Sequence, residues 1–311
     1  MKKIALVVHG GAGPDSDYIR RHQKEYKEGI AAAINAGYKI LEKGGTAIEA
    51  VEAAVNNLED NIHFNAGIGS ALNAKAEVEM CAAIMQGSDR SSGAVAIVKN
   101  IRNPVSLARA VMDKTKHIYL GSHGAMNFAK QVKIQMEPDA YFITQHQYSQ
   151  YEEKKQELQK KENGVALEKV NEQSHGTVGA VALDKWGNIA AATSTGGTEY
   201  GSEGRIADSS MIGVGTYADN KTCAVSATGD GEYHIKNVSA FQVAALMEYK
   251  GLSVTDACHY FIHEKCKNEK GDMGLIALDK EGNIAFEFNS ERMHRGWRTT
   301  DKALTVKIYK E

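Results

Sequence analysis

His175-Gly176-Thr177-Val178-Gly179 is the stretch at which a long, charged segment gives way to a β-rich run. A break of the chain before Thr177 would create a nucleophile that carries its own base, because a free α-amine has a pKa near ~7.7–8.0 and accepts the hydroxyl proton at neutral pH. Gly176 suits the residue before such a break, since it lacks a Cβ and adopts strained backbone geometry readily. Taken alone, a Gly-Thr pair is an ordinary way to open a strand, because threonine has high strand propensity.

The composition is that of a globular protein with a large core. The chain has 311 residues, of which 42% are hydrophobic, and a formal net charge of -2. Most nucleic-acid-binding domains have lysine and arginine clustered on one segment or face, and this sequence has no such cluster. We therefore expect small-molecule or peptide partners and no nucleic acid.

Three further features bear on where the protein resides. No stretch approaches the ~18 consecutive apolar residues of a membrane helix, so no membrane partner is expected. The apolar run from Ile4 to Val8 is too short for a secretory signal and is interpreted as a buried strand. The four cysteines show neither a CxxC pair nor zinc-site spacing, which favours a reduced, cytoplasmic setting.

Local patterns predict both helices and strands. Helices are predicted by helical spacing or capping patterns for Tyr26 to Leu41, for the segment after the Thr46/Glu49 capping box, for the segment opened by Asn103-Pro104, and for two segments opened by Asn237 and by Ser253/Asp256. Strands are predicted for Ile4 to Val8, Thr177 to Asp184, Asn188 to Ser194, Cys223 to Gly229, Met273 to Asp279, Asn283 to Phe288 and Ala303 to Tyr309.

A short internal repeat indicates how the strands pair. The segments 182–190 and 277–285 read ALDKWGNIA and ALDKEGNIA, and each fits a β-hairpin with a tight polar turn. Hairpins need antiparallel neighbours, and the helices are grouped before and after the strands. The predicted fold is therefore α/β, a four-layer αββα sandwich of mainly antiparallel sheets. The alternative is a doubly wound parallel sheet, which would need strict alternation of strand and helix.

The segment from about 144 to 176 is rich in Glu, Lys and Gln and has no regular apolar face, so we expect it to bury little. Pairs such as Glu157 and Lys161 could support a solvated helix. Segments of this kind are surface insertions or functional linkers. The first interpretation is a plain insertion, and the second is a flexible linker that moves away from Thr177 after a cut.

Motifs that follow the junction contain groups able to bind an amino acid. Arg205 offers a planar fork for a carboxylate, and Asp208 could hold an ammonium group. Thr228 and the amide of Gly229 could donate to an oxyanion. Taken singly, Arg205 and Asp208 could equally form a surface ion pair.

Several motifs, in order along the chain, carry a resemblance to a known family: His9-Gly10-Gly11-Ala12-Gly13, Phe64-Asn65-Ala66-Gly67-Ile68-Gly69, Ile101-Arg102-Asn103-Pro104, His175 to Ala182, Thr195, Arg205 with Asp208, Thr228-Gly229 and Met293-His294-Arg295-Gly296-Trp297. Over nearly its whole length the chain resembles the plant-type (type 2) asparaginases with isoaspartyl peptidase activity, which are N-terminal nucleophile (Ntn) hydrolases. The resemblance implies autoproteolysis between Gly176 and Thr177 into an α-chain of 1–176 and a β-chain of 177–311. The two chains would form one folded unit and assemble as a homodimer of αβ units.

The resemblance also implies roles for single residues. Thr177 would be the nucleophile, Thr195 and Thr228 its hydroxyl neighbours, and Asn65 would position the Thr177 region. Arg205 and Asp208 would bind the substrate, with Thr228, Gly229 and Gly231 beside them. Thr177 would then hydrolyse L-asparagine to L-aspartate and ammonia, or β-aspartyl (isoaspartyl) dipeptides, through an acyl-enzyme and without a cofactor for the chemistry.

The same resemblance implies a structural sodium ion. It would be held by backbone carbonyls of one loop, those of Leu58, Glu59, Asn61, Phe64, Ala66 and Ile68. A monovalent ion on backbone carbonyls leaves no side-chain signature in a sequence.

Four positions depart from the family pattern, namely Cys81, Gly201, Ala207 and Ser210, where Asp, Lys, Gly and Pro are usual. They leave open the preference between asparagine and isoaspartyl dipeptides.

The alternative function is an uncleaved, non-catalytic protein that binds Asp-like ligands. A protease acting on long polypeptides is disfavoured, because Arg205 and Asp208 would grip a free α-carboxylate and α-amine.

Two other motifs do not predict sites. His259 and His263 are spaced as two metal ligands on one helix face would be, but neither a third ligand nor a general-base Glu lies between them. The glycine-rich stretch from His9 to Gly13 lacks the Lys-Ser/Thr of a P-loop and is interpreted as a close-packed turn.

Overall fold

The computed structural model describes residues 2–162 and 176–310. Its helices are α1 Asp17–Arg21, α2 Gln23–Glu42, α3 Ala47–Glu59, α4 Pro104–Lys114, α5 Ser122–Gln131, α6 Asp139–Phe142, α7 Gln145–Glu162, α8 Gly231–Asn237, α9 Ser239–Lys250 and α10 Val254–His259, which continues into a π-helical turn at Tyr260–Lys265. Its strands are β1 Ala5–Gly13, β2 Met80–Gln86, β3 Ser92–Val98, β4 Tyr119–Gly121, β5 Val178–Leu183, β6 Ile189–Thr195, β7 Thr216–Ala218, β8 Cys223–Gly229, β9 Met273–Asp279, β10 Ile284–Phe288, β11 Arg292–Thr299 and β12 Thr305–Tyr309.

The strands form two sheets. The larger sheet has the order β12-β11-β1-β5-β6-β2-β3-β4, and the smaller has the order β10-β9-β8-β7. Between the described strands every pairing is antiparallel except that of β3 with β4, so the doubly wound parallel alternative is wrong. Strands from both sides of the 176/177 junction alternate in the larger sheet, and the two parts of the chain therefore share one sheet.

In the described part of the chain, apolar side chains pack in three large cores. One lies between the larger sheet and helices α2, α3 and α4, a second lies between the two sheets, and a third lies between the smaller sheet and helices α9 and α10. On β1, Leu6 and Val8 belong to the first core and Ala5 and Val7 to the second. Successive strand side chains point to opposite faces, so a strand buried on both faces is apolar at every position. This explains the continuous apolar run near the start of the sequence.

The capping box is confirmed in detail. Thr46 Oγ1 accepts a hydrogen bond from the Glu49 backbone N–H, and Glu49 Oε2 accepts one from the Thr46 N–H at 2.8 Å. Helix α4 also begins at Pro104 as predicted, but Asn103 does not cap it through its side chain. Instead the Val105 N–H donates to Glu59 Oε1 at 3.0 Å, so a residue distant in the sequence supplies the cap.

Other local predictions were wrong. Asn237 ends α8 and does not open a helix, because Val238 adopts a left-handed conformation with φ of 48° that separates α8 from α9. Strands β2, β3 and β11 were not predicted, since β2 and β3 are rich in alanine and β11 carries charged residues. Their strand conformation comes from pairing with β6, β1 and β12, which overrides the low intrinsic propensity.

The segment predicted to be a flexible linker is helical over 145–162, and the expected ion pair of Glu157 with Lys161 is present at 3.2 Å. The expectation that it buries little is wrong for two residues. Gln147 is buried and donates to the Gly69 carbonyl at 2.7 Å, and buried Tyr151 stacks on Tyr200 with ring centroids 5.3 Å apart. Residues 163–175, the rest of this segment, lie outside the described part of the chain.

Within the described ranges, no helix combines the length and the apolar character that crossing a membrane requires. Cys81, Cys223, Cys258 and Cys266 are all buried and unpaired with one another.

The two sheets approach closely at Gly179 in β5. A Cβ added there would collide with Ser226 Oγ and would lie 2.5 Å from His9 Nε2 and 3.0 Å from the Ala192 carbonyl oxygen. Only glycine fits this contact between β5, β1 and β8, which lies two residues beyond Thr177.

Gly179→Ala is expected to lower the free energy of unfolding by about 1–3 kcal/mol, because the added methyl group overpacks the contact between the sheets. Gly124→Ala in α5 is the matched control, since a Cβ added at Gly124 meets nothing within 4 Å. The free energy of unfolding of this variant should be unchanged or slightly raised, because alanine is more favourable than glycine within a helix. Urea unfolding followed by circular dichroism measures both. Equal midpoints for the two variants would contradict the tight contact.

Candidate active site

Thr177 and Thr195 lie side by side because their strands are antiparallel neighbours. Thr177 precedes β5, Thr195 ends β6, and the register pairs Val178 with Ser194. The Thr177 hydroxyl donates to Thr195 Oγ1 at 3.3 Å, and both side chains are buried. The sequence prediction that these two hydroxyls are neighbours is thus reproduced by the sheet register.

The carbonyl oxygen of Gly176 is held by two donors. Thr195 Oγ1 donates to it at 3.0 Å and Asn65 Nδ2 at 2.8 Å. Thr195 has a single hydroxyl proton, so it accepts the bond from Thr177 while it donates to Gly176. Two donors on one carbonyl oxygen form an arrangement that would stabilise negative charge on that oxygen.

Asn65 is itself fixed in orientation. Its Nδ2 also donates to the Gly197 carbonyl at 2.7 Å, and its Oδ1 accepts from the Ala71 N–H at 2.8 Å. These bonds settle which side-chain atom is nitrogen, because a carbonyl only accepts and a backbone N–H only donates. Asn65 therefore presents an N–H group, and not an oxygen, to Gly176.

His9 is a contact of Thr177 that the sequence did not reveal. Its Nδ1 lies 3.1 Å from the Thr177 carbonyl oxygen, which only accepts, so the proton sits on Nδ1. Its Nε2 therefore accepts from Ser226 Oγ at 2.8 Å. Complete burial lowers the pKa of His9 from 6.5 to about 3, although the bond to Thr177 opposes this shift. His9 is accordingly neutral at physiological pH. Its position in a glycine-rich motif was the only sequence signal.

Behind His9, a chain of buried hydroxyl groups connects the two sheets. Ser226 Oγ lies 2.7 Å from Thr193 Oγ1, and Thr216 Oγ1 donates to Thr193 at 2.7 Å. Thr193 is in β6, Ser226 in β8 and Thr216 in β7, and all three are fully buried. Buried hydroxyls that hydrogen-bond to one another cost little to bury. This series of hydrogen bonds holds His9 in place, and His9 in turn holds the Thr177 backbone.

Thr228 reaches the junction indirectly. Its Oγ1 accepts from the Ala12 N–H at 3.2 Å. The neighbouring Gly11 packs so closely that an added Cβ would lie 3.1 Å from Gly176 Cα. Gly229 follows Thr228 with φ of 118°, a conformation that favours glycine. Thr228 is thus linked to the junction through the 11–12 backbone.

Arg205, Asp208 and Gly231 form a second group. An added Cβ at Gly231 would lie 2.8 Å from Asp208 Oδ1 and 2.9 Å from Arg205 Nη2. Asp208 is buried, and its Oδ2 has no hydrogen-bond partner. Burial raises the pKa of this carboxyl, against the effect of nearby His234 and Arg205. The side chain therefore offers an acceptor that a cationic ligand could use.

Arg205 pairs with Glu232, which sequence reasoning missed. Arg205 Nε and Nη2 donate to the two Glu232 carboxylate oxygens at 2.8 and 2.9 Å. This bidentate geometry is the one that a substrate carboxylate would adopt on an arginine. Glu232 thus takes the kind of contact that was expected for a ligand.

The loop expected to hold sodium has closely packed main-chain oxygens. A Cβ at Gly67 would collide with the Glu59 carbonyl oxygen, and one at Gly69 with that of Phe64. The carbonyls of Asn61, Phe64 and Ala66 each accept one backbone N–H, which leaves each a second lone pair. The residues present therefore fit a cation that takes oxygen ligands.

Comparison with known proteins shows the family of the chain. A sequence profile described as asparaginase matches residues 2–308. The chain belongs to the asparaginase family. It is 42% identical to a protein named isoaspartyl peptidase from Salmonella typhimurium and 41% identical to one of the same name from Escherichia coli; these alignments cover 100% of this chain and 100% and 98% of the relatives. It is also 43% identical over 93% of its length to a Mus musculus protein named isoaspartyl peptidase/L-asparaginase, of which 86% is covered.

Three of the positions at which this asparaginase-family chain departs from the expected pattern lie together. Cys81 packs against Ala207 in a small apolar cluster, and Ser210 hydrogen-bonds to the Cys81 thiol. Ser210 Oγ also lies 2.5 Å from the Tyr119 hydroxyl. The three residues therefore form one packing unit next to Asp208.

His9 provides a test of the buried network. The free energy of unfolding of the wild type should decrease as the pH falls from about 6.5 towards 3, because His9 takes up a proton in the unfolded chain but not in the folded one. His9→Asn removes this contribution, so the difference in unfolding free energy between wild type and variant should shrink at lower pH. Urea unfolding of both proteins at a series of pH values measures this difference in unfolding free energy. A constant difference across that range would show that His9 is not held neutral.

Proposed function

We propose that this asparaginase-family protein is a self-cleaving amidohydrolase that acts on L-asparagine, on isoaspartyl dipeptides, or on both. The printed names of its relatives, isoaspartyl peptidase and isoaspartyl peptidase/L-asparaginase, support this substrate class. The observation that carries the proposal is the Gly176 carbonyl between Asn65 and Thr195, with the Thr177 hydroxyl bonded to Thr195.

The first step is cleavage of the chain. The Thr177 oxygen attacks the Gly176 carbonyl carbon, and the resulting oxyanion is stabilised by the Asn65 amide and the Thr195 hydroxyl. The hydroxyl proton of Thr177 passes to the departing amide nitrogen as the Gly176–Thr177 C–N bond breaks, which leaves an ester on the Thr177 oxygen. Water then hydrolyses this ester. The products are a carboxylate on Gly176 and a free α-amine on Thr177.

The second step is catalysis by the new terminus. The amine accepts the Thr177 hydroxyl proton, and the oxygen attacks the β-carbonyl of the substrate. Ammonia or an amino compound leaves, water hydrolyses the acyl-enzyme, and aspartate is released. Thr195 orients the amine, while Thr228 and the Gly229 amide donate to the substrate oxyanion.

Arg205 and Asp208 bind the two ends of the amino-acid group. The unpartnered Oδ2 of Asp208 suits a substrate ammonium group, since a buried carboxylate gains most from a cation. Arg205 Nη1, which is not used by Glu232, lies 3.9 Å from an added Cβ of Gly197 and so faces the Thr195 side of the site. A substrate carboxylate would bind there next to Glu232, and the two carboxylates would compete for the charge of the guanidinium.

The proposal extends to the assembly of the molecule. The three apolar cores support the four-layer αββα arrangement. The shared larger sheet supports an α-chain of 1–176 and a β-chain of 177–311 that stay associated. A sodium ion on the 58–68 carbonyls would hold the loop that carries Asn65. We further propose a homodimer of αβ units in a reducing, cytoplasmic compartment.

Release of aspartate from L-asparagine and from a β-aspartyl dipeptide tests the function. Wild-type protein should hydrolyse at least one of them, and Thr177→Ala neither.

Arg205→Gln should raise KM by roughly 10- to 100-fold, the value of one hydrogen bond to a charged group. Glu232→Gln should lower KM, because it removes the competing carboxylate. Binding of aspartate without hydrolysis by the wild type would favour the non-catalytic alternative.

A further inference from the structure

His259, His263 and Glu287 meet outside the site described above. His263 Nε2 lies 2.9 Å from Glu287 Oε2, and His259 Nδ1 lies 3.7 Å from Glu287 Oε1. One possible ligand atom from each of the three residues lies within 4.8 Å of the others. The sequence showed only the two histidines, because Glu287 comes from a strand that is distant along the chain.

The fold explains how the third group arrives. Helix α10 packs on β10, the edge strand of the smaller sheet. Side chains alternate along β10, so Glu287 lies on the same face as Ala285, which belongs to the core beneath α10. The histidines follow at the end of α10 and in the π-helical turn Tyr260–Lys265. Such turns are rare and occur frequently at functional sites.

We propose that His259, His263 and Glu287 bind a divalent transition-metal ion of the Zn²⁺ class. Two imidazole nitrogens and one carboxylate oxygen are a common zinc donor set that leaves a coordination position for water. Metal–ligand distances of about 2.0–2.2 Å place the ligand atoms roughly 3–3.5 Å apart. The two histidine nitrogens lie 2.9 and 3.7 Å from the two Glu287 oxygens, on either side of this value. One ligand atom from each residue lies within 4.8 Å of the others, so small side-chain shifts would bring all three onto one ion.

The surroundings favour an ion that enters from solvent. The His259 side chain is 60% exposed, while those of His263 and Glu287 are 32% and 24% exposed. A second cluster of possible ligands among the described residues consists of three carboxylates, Glu77, Glu79 and Glu203. Unlike the histidine cluster, it forms ion pairs with Lys75 and Lys99. Lysines supply its countercharge, so it does not support a metal site.

The consequence of binding is structural. A bound ion would join the end of α10 to the edge strand β10 and stabilise the smaller sheet at its open side. Stabilisation by mass action follows for any ligand that binds the folded chain better than the unfolded one. This role does not depend on Thr177 or on the proposed hydrolysis.

Metal binding is tested on the full-length protein after treatment with a chelator. Titration with ZnCl₂ by calorimetry should show one equivalent bound, and CoCl₂ should give the visible absorption of a nitrogen- and oxygen-ligated Co²⁺ ion. His263→Ala and Glu287→Gln should each weaken zinc binding by more than about tenfold. Removing a residue that only hydrogen-bonds to a metal ligand already lowers metal affinity by about 10- to 100-fold, and these two residues are proposed as ligands themselves. Zn²⁺ should raise the Tm of the wild type but not of these variants.

His123→Ala is the matched control, because His123 is an exposed histidine in α5 and should leave binding unchanged. Glu287→Gln keeps the size of the side chain and serves if His263→Ala does not fold. No zinc binding by the wild type, or equal binding by wild type and Glu287→Gln, would overturn the proposal. Either result would leave the hydrolase proposal untouched, because no activity is measured.

Discussion

The carbonyl of Gly176, with Asn65 on one side and Thr195 on the other, is the contact on which the candidate site depends. Its three members come from different parts of the chain: the loop after α3, the end of β6 and the second residue before β5. They meet only when β5 and β6 are in register and α3 is packed on the larger sheet. The fold therefore builds the site at the point where the chain changes from one proposed product chain to the other.

Burial gives this contact its chemical meaning. Thr177 is only 4% exposed, and its carbonyl is bonded to a histidine whose pKa burial lowers to about 3. In such surroundings hydrogen bonds are stronger and unpaired charges are costly. The proposed cleavage would leave a carboxylate on Gly176, and the segment before it would have to move away for the new Thr177 terminus to face a substrate. Helix α7, held through Gln147 and Tyr151, is the described part of that segment that would resist the movement.

Local signals in the sequence predicted a large part of the fold. The Thr46/Glu49 box, helix α2 and the paired hairpins depend on neighbours a few residues apart, so the pattern contains the information. Strands β2 and β11 could not be found this way, because alanine and charged residues become strand only through their partners. The same reason hid Glu232 beside Arg205, Glu287 beside His263 and His9 beside Thr177. The motifs gave the family and pointed to Thr177, but these long-range contacts needed the structure.

If the Gly176–Thr177 bond is held for attack by Thr177, the protein cleaves itself, and the intact mass of the purified protein during incubation shows this. The 33.8 kDa chain is expected to divide into fragments 1–176 and 177–311, with threonine as the new amino terminus. Thr195→Val should cleave about 10²- to 10³-fold more slowly, the cost of losing one donor to an oxyanion. A wild-type chain that stays at 33.8 kDa, or one that breaks at another bond, would show that Thr177 does not attack the Gly176 carbonyl.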